Sequence, residues 1–256
     1  MQVWHMSGAG NDFMVIDARG KTLDFEALAK KLCAMTGADG FMAVDYAQDA
    51  DFTLHFYNSD GSRGEMCGNG SRCVCRFAYD NGIAGETMSV HTDAGLVPGW
   101  RLAEDRYRVK LNEPGVLDLH RREDAAYVEL GCPGVPHGVV EVPGLEFSMK
   151  EDLRQRGKAL RYDPAFPKGA NINFYTHLGP GRVRVLTYER GVEDYTLACG
   201  TGCGSTACVL NELGLLTDGR LTCENQGGIL EVTRAPEGLF LEGGAQIVKI
   251  YELEIS

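Results

Sequence analysis

Hydrophobic positions along the chain fall into two alternating kinds of run. Phe25, Leu28, Leu32 and Met35 recur at three- and four-residue spacing behind Asp24 and ahead of Gly37. That pattern predicts an amphipathic helix with an acidic cap and a glycine stop. Phe52, Leu54 and Phe56 instead alternate with Thr53, His55 and Tyr57, the period of a half-buried strand. An opening strand closes at Val15-Ile16 after a Gly-Ala-Gly-Asn loop. Val74, Phe77 and Ala78 share a helical face stopped by Asn81-Gly82, and strands follow at 88–91 and 107–111.

The plan then repeats. Val183, Val185 and Leu186 predict a strand, and a loop over 189–198 follows. Ala207, Leu210 and Leu213 line a helix ending at Gly214, and strands return at 221–223, 230–232 and 239–241. Between strand and helix each half carries one short motif, Cys67-Gly68-Asn69-Gly70 and Cys199-Gly200-Thr201-Gly202, 132 positions apart. At the same offset residues 52–56 face 184–188, and Gly82 and Gly95 face Gly214 and Gly227. One supersecondary unit is therefore used twice. Pro114-Gly115 interrupts both patterns and marks a boundary, giving halves 1–114 and 115–244. The strand-like tail 245–256 is expected to pair back onto the first half. The fold class is α+β, two pseudo-symmetric domains, each a β-sheet or barrel wrapped on a central helix.

Composition narrows the function. A chain of 256 residues with 25 Lys plus Arg against 36 Asp plus Glu carries a formal charge of -11. That balance argues against nucleic acid or an anionic membrane as partner, because phosphate binding needs basic patches. No apolar run approaches a membrane span, and the first residues read as part of a folded domain, so a cytoplasmic location is expected. Nine cysteines, an odd number, argue against a disulfide scaffold. The clusters Cys67/Cys73/Cys75 and Cys199/Cys203/Cys208 lack zinc-knuckle spacing and a nearby histidine, so no metal is expected.

Each motif cysteine precedes Gly-x-Gly and a helix, which puts it at a helix N-terminus. Unsatisfied N–H groups and the positive end of the dipole favour an anion there and can lower a thiol pKa. The glycines let backbone approach a ligand closely. One such motif reads as a tight turn with a buried cysteine. Two at matched positions read as an acid–base pair addressing opposite faces of one carbon.

At this point the motifs resemble those of the diaminopimelate epimerase family over nearly the full chain. They are Gly8-Ala9-Gly10-Asn11-Asp12-Phe13, Asn58-Ser59-Asp60-Gly61-Ser62, Glu65-Met66-Cys67-Gly68-Asn69-Gly70-Ser71-Arg72-Cys73, Pro136-His137, Phe166-Pro167 through Asn171, Glu189-Arg190-Gly191 and Leu197-Ala198-Cys199-Gly200-Thr201-Gly202. The resemblance implies two pseudo-symmetric domains with the active site in the cleft between them. It implies epimerisation of LL- to meso-diaminopimelate, a lysine and cell-wall precursor, without pyridoxal phosphate or any other cofactor. Cys67 and Cys199 would be the catalytic pair. Asn69, Gly70, Gly200 and Thr201 would grip the α-carboxylate, Gly68 would also bind substrate, and Asn11, Asn58, Asn171, Glu189 and Arg190 would bind the far amino-acid head. The resemblance also implies a homodimer. His137 reads as a structural or supporting histidine rather than a base.

The chain departs from the family pattern at Val135 (often Asn), Gly40 (Gln in some members) and Tyr195 (usually acidic), and its 189–199 loop is one residue longer. These changes bear on substrate rather than on proton transfer. A racemase of the same fold acting on another amino acid, such as histidine, is the nearest alternative. It would have no need of Glu189 and Arg190. A thiol redox or metal-binding module is the alternative from another class, and it offers no reason for Asn11, Asn171 and Arg190.

Overall fold

The computed structural model describes residues 1–64 and 67–254. Glu65-Met66 of the first cysteine motif and the last two residues of the tail lie outside them. The elements in chain order are β1 (Gln2–Gly8), β2 (Asn11–Asp17), α1 (Phe25–Thr36), β3 (Gly40–Asp45), β4 (Phe52–Asn58), β5 (Arg63–Gly64), α2 (Gly68–Asp80), β6 (Thr87–Thr92), β7 (Gly95–Arg101), β8 (Arg106–Leu111) and β9 (Pro114–Arg122). They continue with β10 (Ala125–Gly131), β11 (Gly134–Glu141), α3 (Lys150–Arg161), β12 (Asn171–Gly179), β13 (Arg182–Glu189), β14 (Asp194–Thr196), α4 (Gly200–Glu212), β15 (Arg220–Asn225), β16 (Gly228–Ala235), β17 (Gly238–Gly244) and β18 (Gln246–Glu252). The chain forms two compact units, Met1–Lys110 with Glu242–Ser256, and Leu111–Leu241. The mixed, strand-dominated α+β class read from the sequence is the class observed.

The two units repeat one pairing scheme. In the first, β18, β1 and β2 run antiparallel, β2 pairs parallel with β3, β3 antiparallel with β4, and β4 takes β5 antiparallel and β6 parallel. In the second, β9, β10 and β11 run antiparallel, β11 pairs parallel with β12, β12 antiparallel with β13, and β13 takes β14 antiparallel and β15 parallel. The C-terminal strand β18 thus occupies in the first unit the place β9 holds in the second. A parallel neighbour requires a crossover, and α1 and α3 supply it at equivalent points.

Local chemistry explains most boundaries. Asp24 caps α1 by accepting from the Ala27 amide at 3.0 Å, and Gly37 ends it at φ 76°. Helices α2 and α4 start 132 positions apart and span 13 residues each. Ten residues of each are buried, so sheet surrounds them on nearly every side. Such a helix has no room for ordinary side chains where it meets the sheet. A Cβ on Gly70 would strike the Met42 side chain, and one on Gly204 would lie 2.8 Å from Leu111 and 3.3 Å from Leu130.

Four details differ from the sequence pattern. Met35 and Leu213, placed on buried helix faces, are 49% and 47% exposed, because each lies at a helix end that runs past the sheet. Pro114-Gly115 does not interrupt the structure but opens β9, where a first-residue proline costs no ladder bond. Gly95 has Gly228 rather than Gly227 as its counterpart. Both begin a strand after a hairpin turn with positive φ, 105° and 139°. Helix α3 escaped the periodicity because it buries only Leu153, Gly157 and Leu160, with Gly157 lying against the Tyr188 ring. Among the described residues no helix is long and apolar enough to cross a membrane.

The core under each crossover is dense enough that truncation should be costly. Leu32, in the cluster of α1 and its sheet, and Phe174, in the cluster of α3 and its sheet, are both fully packed. Leu32→Ala and Phe174→Ala are each expected to cost about 2–5 kcal/mol in urea denaturation, and an unchanged midpoint would contradict the packing described.

Candidate active site

The first half-site is built on the start of α2. Cys67 is its N-cap, half-buried and extended at φ -125° and ψ 118°. The Ser71 amide is the first to close onto it, bonding the Cys67 carbonyl at 2.7 Å. The amides of Gly68, Asn69 and Gly70 lie ahead of the helical ladder. Asn69 is buried and fixed at both ends. Its Nδ2 donates to Asn11 Oδ1 at 2.7 Å, and its Oδ1 accepts from Arg72 Nη2 at 3.0 Å. Arg72 is fully buried and also donates to the Gly68 carbonyl at 3.2 Å.

Asn11 arrives through a two-residue hairpin turn, Ala9-Gly10, in which both φ angles are positive, 53° and 86°. An alanine in that region carries backbone strain. The preceding Gly8 is required by contact, since a Cβ there would lie 2.8 Å from the Asn69 carbonyl. Asp39 secures the far side of the hairpin by accepting from the Asp12 amide at 2.8 Å and from Asn11 Nδ2 at 3.4 Å. Asn58 ends β4 opposite Gly40, is exposed, and donates through Nδ2 to Ser62 Oγ at 2.9 Å.

The second half-site starts α4. Cys199 is the N-cap at φ -120° and ψ 109°, 8% exposed. Its Sγ accepts from the Gly202 amide at 3.4 Å and lies 3.5 Å from Thr201 Oγ1. Burial pushes this thiol well above the ordinary range, and the Glu189 carboxylate adds to the effect. The hydrogen bonds from Thr201 and Gly202 act the other way and lose. From the sequence a helix N-terminus can lower a thiol pKa, and which of the two cysteines is ionised stays open. Desolvation outweighs the dipole, and Cys199 is held as a thiol. Cys33 and Cys208 are pushed up to about 11, and Cys73 and Cys75 to about 12, all chiefly by burial.

Glu189 ends β13 as Asn58 ends β4, and its carboxylate accepts from Thr196 Oγ1 at 2.9 Å. Strand ends therefore match Asn58 with Glu189, one residue off the match with Arg190 that counting back from the cysteines implies. Arg190 is exposed. Its amide donates to Asn171 Oδ1 at 2.8 Å and its Nη1 to the Lys168 carbonyl at 3.1 Å. Asn171, Glu189, Arg190, Cys199, Gly200 and Thr201 thus share one neighbourhood in the second unit. Asn11, Gly68, Asn69 and Gly70 share one in the first, with Asn58 on an adjoining strand end.

A buried polar layer beneath the second half-site was not read from the sequence. Asn173 Nδ2 donates to the Gly138 carbonyl at 3.0 Å and to His137 Nδ1 at 3.1 Å, and its Oδ1 accepts from Thr187 Oγ1 at 2.9 Å. The same Oδ1 fills the space a Cβ on Gly202 would need. Two asparagines separated by one residue at the start of a strand, Asn171 and Asn173, were the available signal. Because a carbonyl only accepts, the Gly138 bond fixes Asn173 Nδ2 as donor and hence His137 Nδ1 as acceptor, leaving its proton on Nε2. Burial, with the Arg190 charge assisting, lowers the His137 pKa to about 3. Among the described residues no three His, Cys, Asp or Glu side chains converge as a metal set.

The depressed His137 value has a definite sign. The unfolded chain takes up a proton near pH 6.5 and the folded one does not, so this group's contribution is intact above that pH. It is lost as pH falls from about 6.5 towards about 3. In ring NMR spectra the His137 resonances should stay in place from pH 8 to pH 5, and a midpoint near 6 would contradict the buried neutral ring.

Comparison with known proteins agrees with this geometry. The sequence model of one family, described as "Diaminopimelate epimerase", matches residues 3–114 and 132–248. A diaminopimelate epimerase of Aquifex aeolicus (strain VF5) is 35% identical over 278 residues, covering 100% of this chain and 98% of that one. One from Hydrogenobaculum sp. (strain Y04AAS1) is 36% identical over 277 residues, covering 98% and 97%. Among solved structures, a probable proline racemase from Agrobacterium radiobacter K84 superposes with a TM-score of 0.72 at 16% identity, over 100% of this chain and 93% of that one, a likeness of fold.

Proposed function

The chain belongs to the diaminopimelate epimerase family, and from that premise we propose that it interconverts LL- and meso-diaminopimelate by two-base proton transfer at one α-carbon. It is an isomerase of the epimerase type. The observation that carries the proposal is the repeated N-cap cysteine. Two central helices of equal length, built the same way in two units, each begin at a thiol followed by Gly-x-Gly.

In one direction Cys67, as thiolate, removes the α-proton onto its sulfur. Cys199, as thiol, gives its proton to the opposite face of the carbon, and its electron pair stays on sulfur. The reverse direction exchanges the roles. The buried, undissociated state of Cys199 suits it to be the donor in the first of these. No electron-sink cofactor takes part in the proposal, so the carbanion depends on groups aimed at developing charge. The helix-start amides of Asn69 and Gly70, and of Gly200 and Thr201, are the donors for the α-carboxylate. At the distal head Glu189 receives the ammonium and Arg190 the carboxylate, with Asn11, Asn58 and Asn171 completing the polar lining. A substrate with a single amino-acid head leaves that second pair of charges unused.

The test is turnover of reduced protein with LL-diaminopimelate, without added pyridoxal phosphate. Cys67→Ala and Cys199→Ala should each lower kcat by roughly 10²–10⁴-fold. Arg190→Ala should raise KM for diaminopimelate by about tenfold or more, as loss of a charge-assisted grip implies. Full activity in either cysteine variant would sink the acid–base assignment. Equal KM values with and without Arg190 would sink the distal grip.

A further inference from the structure

We propose that Glu129 is a positioning residue that sets Arg190 through Lys168. The inference deepens the reading of Arg190 as the grip on the distal carboxylate and rests on it. Glu129 is only 8% exposed. A buried carboxylate is costly unless ion-paired and hydrogen-bonded. This one accepts from the Tyr127 hydroxyl at 2.7 Å and from the Lys168 ammonium at 2.7 Å. Those contacts hold it well ionised, below the usual carboxylate range despite its burial.

The value of the arrangement lies in where Lys168 sits. It belongs to the connection between α3 and β12, and its own carbonyl is the acceptor for Arg190 Nη1. Three residues on, Asn171 Oδ1 accepts from the Arg190 amide. The guanidinium and the backbone of Arg190 therefore hang on one short segment, 168–171. Within it the Gly169 amide bonds the Phe166 carbonyl at 2.7 Å, and the Ala170 amide reaches the Arg161 carbonyl at 3.4 Å. The Phe166 ring stacks on Tyr127 with centroids 5.4 Å apart and planes 12° from parallel. Tyr127 and Glu129 are alternate residues of β10 and share one face of it. That strand face thus holds the segment twice, by a ring at Phe166 and by a charge at Lys168. Neutralising Glu129 removes the charged hold and leaves the stacked one, so the chain should fold while the Lys168 carbonyl loses its fixed place.

Four linked measurements decide the matter. Glu129→Gln should raise KM for diaminopimelate about tenfold while kcat changes less than about threefold, the signature of weakened uniform binding. In an Arg190→Ala background the same substitution should add no further rise, because its effect passes through Arg190. Lys168→Met should reproduce the rise and show no additivity with Glu129→Gln. Hydrogen exchange in the substrate-free protein should quicken about tenfold at the amides of 169–171 and Arg190, with α4 unchanged. A KM rise that persists without Arg190, or unchanged exchange at those amides, would overturn the proposal. Wild-type protein that fails to turn over diaminopimelate would instead overturn the functional reading. The exchange arm would then still decide whether Glu129 positions Arg190.

Discussion

The start of a helix leaves amide groups unsatisfied, and this protein buries two such starts beneath sheets. An orphan N–H taken out of water costs on the order of 1–3 kcal/mol if nothing accepts it. The fold meets that cost locally where it can. Cys199 sulfur takes the Gly202 amide, and the Cys67 carbonyl takes that of Ser71. In the proposed function the helix-start amides ahead of these two meet an α-carboxylate, which has the right charge and shape. The glycines follow from the same constraint. Met42 closes over Gly70 and Asn173 over Gly202, so a side chain at either point would push the helix start away from its sheet.

The duplication is faithful in backbone and unequal in chemistry. Helix lengths and pairing order match between the units, yet Cys67 is half-buried where Cys199 is closely covered. The first strand end presents neutral Asn58 and the second presents Glu189, whose charge works with burial to keep the neighbouring sulfur protonated. An exchange of protons between two sulfurs needs one ionised and one protonated partner at the outset. In the proposed mechanism, unequal burial is a physical means of setting that difference.

Much of this was legible in the sequence, and for identifiable reasons. Alternation at Phe52, Leu54 and Phe56 and the capped period after Asp24 report burial on one face, which simple patterns record well. The cysteine motifs were legible because glycine spacing and duplication reinforced each other. What escaped had no periodic signature. Helix α3 buries three residues, one of them a glycine, and Pro114 opens a strand although Pro-Gly reads as a break in the pattern. The raised pKa of Cys199 was not legible because the dipole can be inferred from position, whereas desolvation depends on what packs above the sulfur. The Asn173, Thr187 and Glu129 contacts join β12, β13, β10 and a loop, so no local window contains them.

In the proposed reaction two different sulfurs serve the two faces of one carbon. The direct measurement is early-time turnover of LL-diaminopimelate in deuterated water, with the isotope at the α-carbon followed separately in substrate and product. Two bases predict that nearly every product molecule carries solvent deuterium at the inverted centre while recovered substrate remains protiated. Product that retains the substrate's own hydrogen would mean one group removes and returns the same proton, and would overturn the two-base assignment.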